Sequence, residues 1–298
     1  LTQVPATHGV TEVYTPHFVV RKWLADNFPR LAPGVRMVGE EGPEEVERAY
    51  RALGERIDQR PSNPLEALPS GRLGLTNLQR AGLLRLLRTS PGMCSEEKMH
   101  LVAEAMRRAP AGDIVEIGSW SGRSAALFSW LSHHYGLGKL LCIDPWRRDA
   151  MVQGDAFLDS ANTVLDTNEA LRMFEINLGP LATDQINYIR ARSVDGAVAY
   201  ETSGEVTTTA FGTTRYEGRI AVLHIDGNHA YEEVARDEAA WTKHVVPGGW
   251  IIFDDYGWAF GDGPKRAADD FVARRSAQIE VAVFAGASLY VKLKDAAS

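Results

Sequence analysis

Apolar runs and helical patterns alternate along the chain from about residue 95 onward. Segments with apolar residues at helical spacing separate short runs rich in β-branched residues. The runs that predict buried strands are 113–117, 139–144, 186–190, 219–226 and 248–255. The last segment, 280–293, alternates around Gly286 and predicts an antiparallel hairpin. This order predicts an α/β fold with a doubly wound, mostly parallel sheet and an antiparallel C-terminal hairpin.

The first third of the chain has a different pattern. Helical spacing predicts helices at 17–28, 44–59 and 75–87, and a segment rich in proline and glycine, 60–74, predicts a linker. We therefore expect a helical N-terminal extension at 1–92, forming a substrate wall or oligomer contacts, before a second domain at 93–298. Within the second domain, the Thr- and Gly-rich segment 203–218 is expected to be a mobile surface loop.

The turn after the first strand predicts a nucleotide-type ligand. Ligands of such sheets bind beyond the carboxyl ends of the strands, so Glu116, Gly118 and the following residues should face one. The turn reads G-S-W-S-G rather than G-x-G-x-x-G, and Ser119 with Trp120 would crowd a pyrophosphate, which disfavours an NAD oxidoreductase. Asp144, ending the second strand, could accept hydrogen bonds from ribose hydroxyls. The alternative is that both acids only cap nearby helices.

Three carboxylates follow two other strands. Asp226 ends the fourth strand, and Asp254 and Asp255 end the fifth. Neighbouring strands lie about 4.8 Å apart, so these acids should converge at one edge of the sheet. Converging acids repel one another unless a cation or proton offsets them, and hard oxygen ligands suit Mg²⁺. The alternative is that Asp255 caps the following turn and no metal binds.

Composition narrows the cellular context. The chain has 298 residues, a net charge of −7 and no basic block, which argues against a nucleic-acid partner. No apolar run approaches membrane-spanning length, and no signal-peptide core is recognisable. The two cysteines fit a reducing compartment. We expect a soluble, cytoplasmic protein that forms homo-oligomers and binds neither membrane nor nucleic acid.

Four motifs together resemble a known family. They are V-E-I-G-S-W-S-G-R-S at 115–124, C-I-D at 142–144, H-I-D-G-N-H at 224–229 and G-G-W-I-I-F-D-D-Y at 248–256. The chain from about Ser95 to Leu293 resembles class I S-adenosylmethionine-dependent methyltransferases, in particular metal-dependent O-methyltransferases with a Rossmann-like fold. It looks closest to bacterial natural-product tailoring enzymes, such as those acting on macrolide or aminocoumarin sugars, and shares the logic of catechol O-methyltransferase.

The resemblance implies roles for individual residues. His229 matches a position at or near the family's general base, although it could instead only hydrogen-bond locally, whereas His224 is expected to be packed in the core. Mg²⁺ or another divalent cation would be held by Asp226, Asp254 and Asp255. Some relatives carry Asn or Glu at one of these positions. The residues expected to contact S-adenosylmethionine are Glu116, Gly118, Ser119, Trp120, Ser124, Asp144, Ser193 and Asp226.

The expected function is a Mg²⁺-dependent O-methyltransferase acting on a natural product used in antibiotic biosynthesis. A metal that binds two substrate oxygens fixes a hydroxyl and acidifies it, so a sugar diol is the preferred acceptor. The alternatives are methylation of a catechol-like aromatic or of a nitrogen, and a non-catalytic adenosine-binding subunit of a biosynthetic assembly. The intact acids and His229 favour catalysis.

Overall fold

The computed structural model describes residues 63–296 except 70, 154, 164 and 183, together with the short stretches 12–14 and 36–38. The chain forms two compact units, Leu1–Gln59 and Arg60–Ser298. In the first, strands β1 (Glu12–Tyr14) and β2 (Arg36–Val38) pair in parallel. The helices predicted at 17–28 and 44–59 lie outside the described residues.

The second unit is built on a seven-stranded sheet, and all five predicted strands and the hairpin are present. The strands are β3 (Asp113–Ile117), β4 (Leu140–Ile143), β5 (Ile186–Ile189), β8 (Ile220–Ile225), β9 (Val245–Phe253), β10 (Ile279–Ala285) and β11 (Ser288–Leu293). Their order is β10-β11-β9-β8-β3-β4-β5. The pairs from β9 to β5 are parallel, and β11 is antiparallel to both neighbours. The predicted doubly wound, mostly parallel sheet is confirmed.

Helices cover the two faces of this sheet. They are α1 (Asn77–Thr89), α2 (Glu96–Met106), α3 (Arg123–Tyr135), α4 (Ala156–Asn162), α5 (Thr167–Leu178), α6 (Ser193–Ser203), α7 (Tyr231–Trp241) and α8 (Gly263–Arg275). Helices α6, α7 and α8 pack against the apolar face formed by side chains such as Val115, Leu223 and Ile251. Helices α1, α2, α3 and α5 pack with one another. The central strands are therefore buried on both faces, which explains why they read as continuous apolar runs.

Residues 60–92 belong to the second unit. Helix α1 begins with a capping box between Thr76 and Gln79, and it buries Leu83, Leu84 and Leu87. The sequence-based boundary placed this helix in the N-terminal extension, whereas it packs with α2 and α3 of the second unit.

The prediction of a mobile loop at 203–218 is wrong. This segment contains a hairpin of β6 (Glu205–Thr208) and β7 (Gly212–Arg215). The amide of Asn187 on β5 donates hydrogen bonds of 2.9 Å to the carbonyls of Val206 and Gly212, and the Thr214 hydroxyl donates to the Ile186 carbonyl. These bonds fix the hairpin beside the outer strand of the sheet. Across the described residues, every helix is too short or too polar to cross a membrane.

Candidate active site

The turn after β3 packs tightly against the end of β8. Gly118 has a φ of +84°, and a Cβ placed there would lie 1.8 Å from the carbonyl oxygen of Asp226. Only glycine fits, because glycine alone combines a free choice of φ with the absence of a side chain. Two residues later, Trp120 also has a positive φ of 44°, which non-glycine residues adopt rarely. The turn thus places Gly118, Ser119 and Trp120 at the carboxyl edge of the sheet.

Asp144 ties this turn to the next one. Its Oδ2 accepts the backbone N–H of Trp120 at 2.9 Å, and its Oδ1 accepts that of Trp146 at 2.7 Å. Burial raises the pKa of Asp144 against the opposing effect of these N–H groups. The indole of Trp146 donates in turn to the Trp120 carbonyl at 2.8 Å. Asp144 is therefore a rigid carboxylate at the wall of the cleft, where a ligand hydroxyl could reach it.

A cleft of about 980 Å³ opens beyond these strand ends. It brings together most of the predicted cofactor residues, since its lining includes Gly118, Ser119, Trp120, Ser124, Asp144, Ser193 and Asp226. Ser193, at the start of α6, accepts the indole N–H of Trp241 with its hydroxyl at 2.8 Å. The predicted acids Asp254 and Asp255 and the predicted base His229 also line this cleft.

Glu116 was expected to face the ligand, but its side chain lies beneath the cleft. It is fully buried, and its Oε1 lies 3.3 Å from Nδ1 of His224. Glu116 and His224 are opposite each other on the paired strands β3 and β8, so their side chains share one face of the sheet. His224 is buried as expected, and it also reaches the acids: its Nε2 lies 3.8 Å from Asp226 and 3.7 Å from Asp254.

A buried lysine lies among the strand-end acids. The Lys98 ammonium, on the first turn of α2, forms an ion pair with Asp254 and lies 3.4 Å from Oδ2 of Asp226. The other oxygen of Asp254 accepts the hydroxyl of Ser288. Burial acts to lower the pKa of Lys98, but the Asp254 and Asp226 carboxylates outweigh it and raise the pKa well above its usual range.

The two acids respond to this lysine in opposite directions. Burial acts to raise the pKa of Asp254, yet the Lys98 ammonium outweighs it and holds that pKa well below its usual range. Burial, followed by the neighbouring charge of Asp254, raises the pKa of Asp226. Lys98 therefore stabilises the charged form of Asp254 most strongly.

Asp255 points to a different partner from Asp254. Its φ of +50° is in the left-handed region, so the chain turns sharply between the two consecutive acids. Its Oδ2 lies 2.9 Å from Nε2 of His229. Nδ1 of His229 is buried without a hydrogen-bond partner among the described residues, and the imidazole packs 4.4 Å from the ring of Trp258. His229 and Asp255 thus form a pair at the edge of the cleft.

The donors fit a divalent cation in one of two arrangements. His224, Asp226 and Asp254 place one donor atom each within 4.8 Å of one another, but the two acids of this group already pair with the Lys98 ammonium. The donor atoms of Asp226, His229 and Asp255 also lie within 4.8 Å of one another, and these residues line the cleft. The Asp226 and Asp255 carboxylates supply oxygen ligands of the kind that a hard divalent cation prefers, and the His229 imidazole lies beside them. The side facing Asp255 is therefore the one whose chemistry fits a metal.

Comparison with known proteins agrees with this arrangement. Residues 115–256, which contain the turn after β3, Asp144 and all three strand-end acids, match the model of a family described as a methyltransferase domain. Residues 115–256 form a methyltransferase domain. The chain is therefore an enzyme of the methyltransferase class, as the sequence predicted.

The fold of this chain is similar to that of a solved O-methyltransferase structure. The O-methyltransferase NovP is 18% identical, with 84% of this chain and 98% of that chain covered and a TM-score of 0.51. The O-methyltransferase TomG from Streptomyces achromogenes is 15% identical over 93% of this chain and 96% of its own, with a TM-score of 0.44. At this identity, the likeness to NovP establishes a shared fold.

A curated relative matches a short part of the chain. The uncharacterized protein R132 of Acanthamoeba polyphaga mimivirus is 49% identical over 37 residues, which is 12% of this chain and 17% of that protein. The chain therefore spans about a sixth of the length of the curated relative that it matches.

Two residues of the methyltransferase cleft were not found from the sequence. Lys98 lies in the helix start S-E-E-K, where the pattern indicates only an N-cap and first-turn acids. Asp237, on α7, is buried beside the cleft. Burial, with a smaller effect of Glu233, raises the pKa of Asp237 to about 7 despite its hydrogen bond with Ser193. Lys98 and Asp237 could have been found as charged residues on the apolar face of an amphipathic helix.

Proposed function

We propose that this enzyme transfers the methyl group of S-adenosylmethionine to a hydroxyl of a small natural product, preferably one hydroxyl of a sugar diol. One observation carries the proposal: the turn after β3 and Asp144 open into the same cleft as the Asp226, Asp255 and His229 side chains. A site for the donor nucleoside thus adjoins a group of proton acceptors, as methyl transfer to a hydroxyl requires.

The end of the cleft beside Asp144 suits a ligand whose nucleoside carries no phosphate and whose sulfonium is positively charged. Asp144 can accept ribose hydroxyls, while Ser119, Ser124 and Ser193 supply neutral hydroxyls along the wall. Trp120 lies where a dinucleotide would need space for its pyrophosphate. The strand-end carboxylates beyond Gly118 would attract the positively charged sulfonium and repel a phosphate.

His229 is the general base in this proposal. The Asp255 carboxylate, 2.9 Å from Nε2, and the contact with Trp258 position the ring, as expected for a base oriented by a third group. Asp226 and Asp255 would hold Mg²⁺ on the cleft side, and the ion would supply Lewis-acid polarisation of the acceptor hydroxyl. The likeness to the O-methyltransferase NovP supports a hydroxyl over a nitrogen as the acceptor.

The acceptor wall is apolar and partly aromatic. The rings of Trp258 and Phe260 lie 5.7 Å apart, and Phe260 and Met93 are both exposed at the cleft. Such surfaces bind the apolar faces of ring-shaped ligands, while a few convergent polar groups orient the reacting atom. This combination favours a glycosylated natural product over a small, fully polar substrate.

The experiment incubates the purified protein with S-adenosylmethionine, Mg²⁺ and separate panels of glycosides, diols, catechols and amines. Mass spectrometry should detect one added methyl on a diol-containing glycoside, and a chelator should abolish turnover until Mg²⁺ is restored. If only catechols or only amines were methylated, that class would be the acceptor in place of the sugar diol. S-adenosylmethionine binding without any product would favour a non-catalytic adenosine-binding subunit, and calorimetric binding of NAD⁺ in its place would overturn the cofactor assignment.

A further inference from the structure

Lys98 is buried, although its charged ammonium is more stable in water than in the protein interior. Its side chain is only 4% exposed, although lysine is among the residues least often buried. The residues around it on α2, Met99, Leu101 and Val102, are buried and fix the helix against the sheet. Removing an ammonium from water costs several kcal/mol unless partners offset the loss. The carboxylates of Asp254 and Asp226 are those partners.

The neighbouring carboxylates of Asp226 and Asp254 are in turn stabilised by a nearby positive charge. Asp226 and Asp254 follow neighbouring parallel strands, and His224 packs between them and Glu116. Among the described residues, Lys98 provides the Lys or Arg nitrogen within ion-pair distance of both acids. With Ser288 on its other oxygen, Asp254 has a partner at each oxygen atom.

Asp255 is separated from this arrangement by the left-handed turn that it forms. Its ion-pair partner in the described part of the chain is His229, on the cleft side. The predicted trio of Asp226, Asp254 and Asp255 is thus divided, with Asp226 on the border between the lysine and the cleft.

We propose that the Lys98 ammonium is the permanent cation of the Asp226–Asp254 pair, so that a divalent cation binds only on the Asp255 side of Asp226. Lys98 is a positioning residue in this arrangement. It holds Asp254 away from the metal and balances the buried charge before any ligand binds. The inference concerns cation binding, and it does not depend on which acceptor the enzyme methylates.

The test is Mn²⁺ binding to the ligand-free protein, measured from the electron paramagnetic resonance signal of free Mn²⁺. Lys98→Met removes the charge with little change in size, and Lys98→Gln keeps a hydrogen-bond donor for Asp254. Both should bind Mn²⁺ at least tenfold more tightly than wild type, because two buried carboxylates lose their resident cation. Adding Asp254→Asn to either variant should cancel that gain.

Lys265→Met is the matched control, because this lysine pairs with Asp269 on the surface and should leave Mn²⁺ affinity unchanged. Circular dichroism establishes that each variant is folded. Folded Lys98 variants with unchanged affinity would overturn the proposal. If neither variant folds, single variants of the acids decide: Asp255→Asn should weaken Mn²⁺ binding at least tenfold and Asp254→Asn less than threefold, and equal losses would assign Asp254 as a metal ligand.

Discussion

At the scale of single residues, side-chain partners decide which acids remain available for chemistry. Asp254 and Asp255 are adjacent in the chain, yet one is neutralised by Lys98 and the other contacts His229. Strand spacing predicts that carboxylates converge at a sheet edge, but it does not include a positive φ at Asp255. It also omits Lys98, because a lysine on a helix is normally exposed.

His229→Ala should lower the turnover rate about 10²- to 10⁴-fold, the usual loss when a positioned base is removed. The acidic limb of the pH–rate profile should disappear with it, because such a limb reports protonation of the catalytic base. Calorimetric affinity for S-adenosylmethionine should be unchanged.

His133→Ala is the control for this variant, because His133 is exposed at the end of α3. Near-wild-type turnover with an intact acidic limb would place the base elsewhere. A tenfold weaker affinity for Mn²⁺ in His229→Ala would instead assign His229 as a metal ligand.

Asp237 should make stability depend on pH in an unusual direction. Its pKa is raised by burial to about 7, so the folded state holds this proton more strongly than the unfolded state does. The resulting stabilisation is complete below the unfolded pKa of about 3.9 and is lost as the pH rises through 7. Asp237→Asn keeps an uncharged side chain at every pH. Relative to this variant, the wild type should lose on the order of 1 to 4 kcal/mol between pH 4 and 8.

Urea unfolding of both proteins at several pH values measures this difference. Ionisable groups elsewhere act alike in the two proteins and cancel. A difference that stays constant across this range would show that folding does not change the pKa of Asp237.

At the scale of elements, apolar runs predicted the five parallel strands because β3, β4, β8 and β9 are almost wholly buried and β5 is partly buried. The hairpin of β6 and β7 carries no such run. Its residues are mainly Thr and Gly, and its position depends on Asn187, which is far away in sequence. Side-chain hydrogen bonds to distant backbone atoms leave no periodic pattern, so this element could not be predicted from local spacing.

The turn between β3 and α3 is the element most sensitive to a single methyl group. Gly118→Ala would place a Cβ within 1.8 Å of the Asp226 carbonyl at a left-handed φ. We expect a loss of more than about 3 kcal/mol in the free energy of unfolding, or failure to fold, because backbone strain and overlap add together.

Gly136→Ala is the matched control for this turn. It has a φ of +61°, but no atom lies within 4 Å of its Cβ position. It should therefore lose only the ~1 to 2 kcal/mol of the left-handed conformation. Equal losses by urea unfolding would show that close packing against β8 contributes nothing.

At the scale of the whole molecule, the sequence was most informative where the order of the strands determines which residues lie together. Motifs spread from Val115 to Tyr256 meet at one edge, because parallel strands present their carboxyl ends together. Glu116 shows the corresponding weakness. It lies on a strand that borders the site, but its side chain faces His224 below the cleft.

The seven-stranded sheet ends at β5, whose free side would otherwise present unpaired backbone groups. Exposed strand edges of this kind can recruit strands from other molecules and start aggregation. The β6–β7 hairpin lies against that side, where the Thr214 hydroxyl donates to the Ile186 carbonyl and Asn187 faces inward with its side chain occupied. Covering this edge removes a site at which a strand of another molecule could pair, without closing the sheet into a barrel.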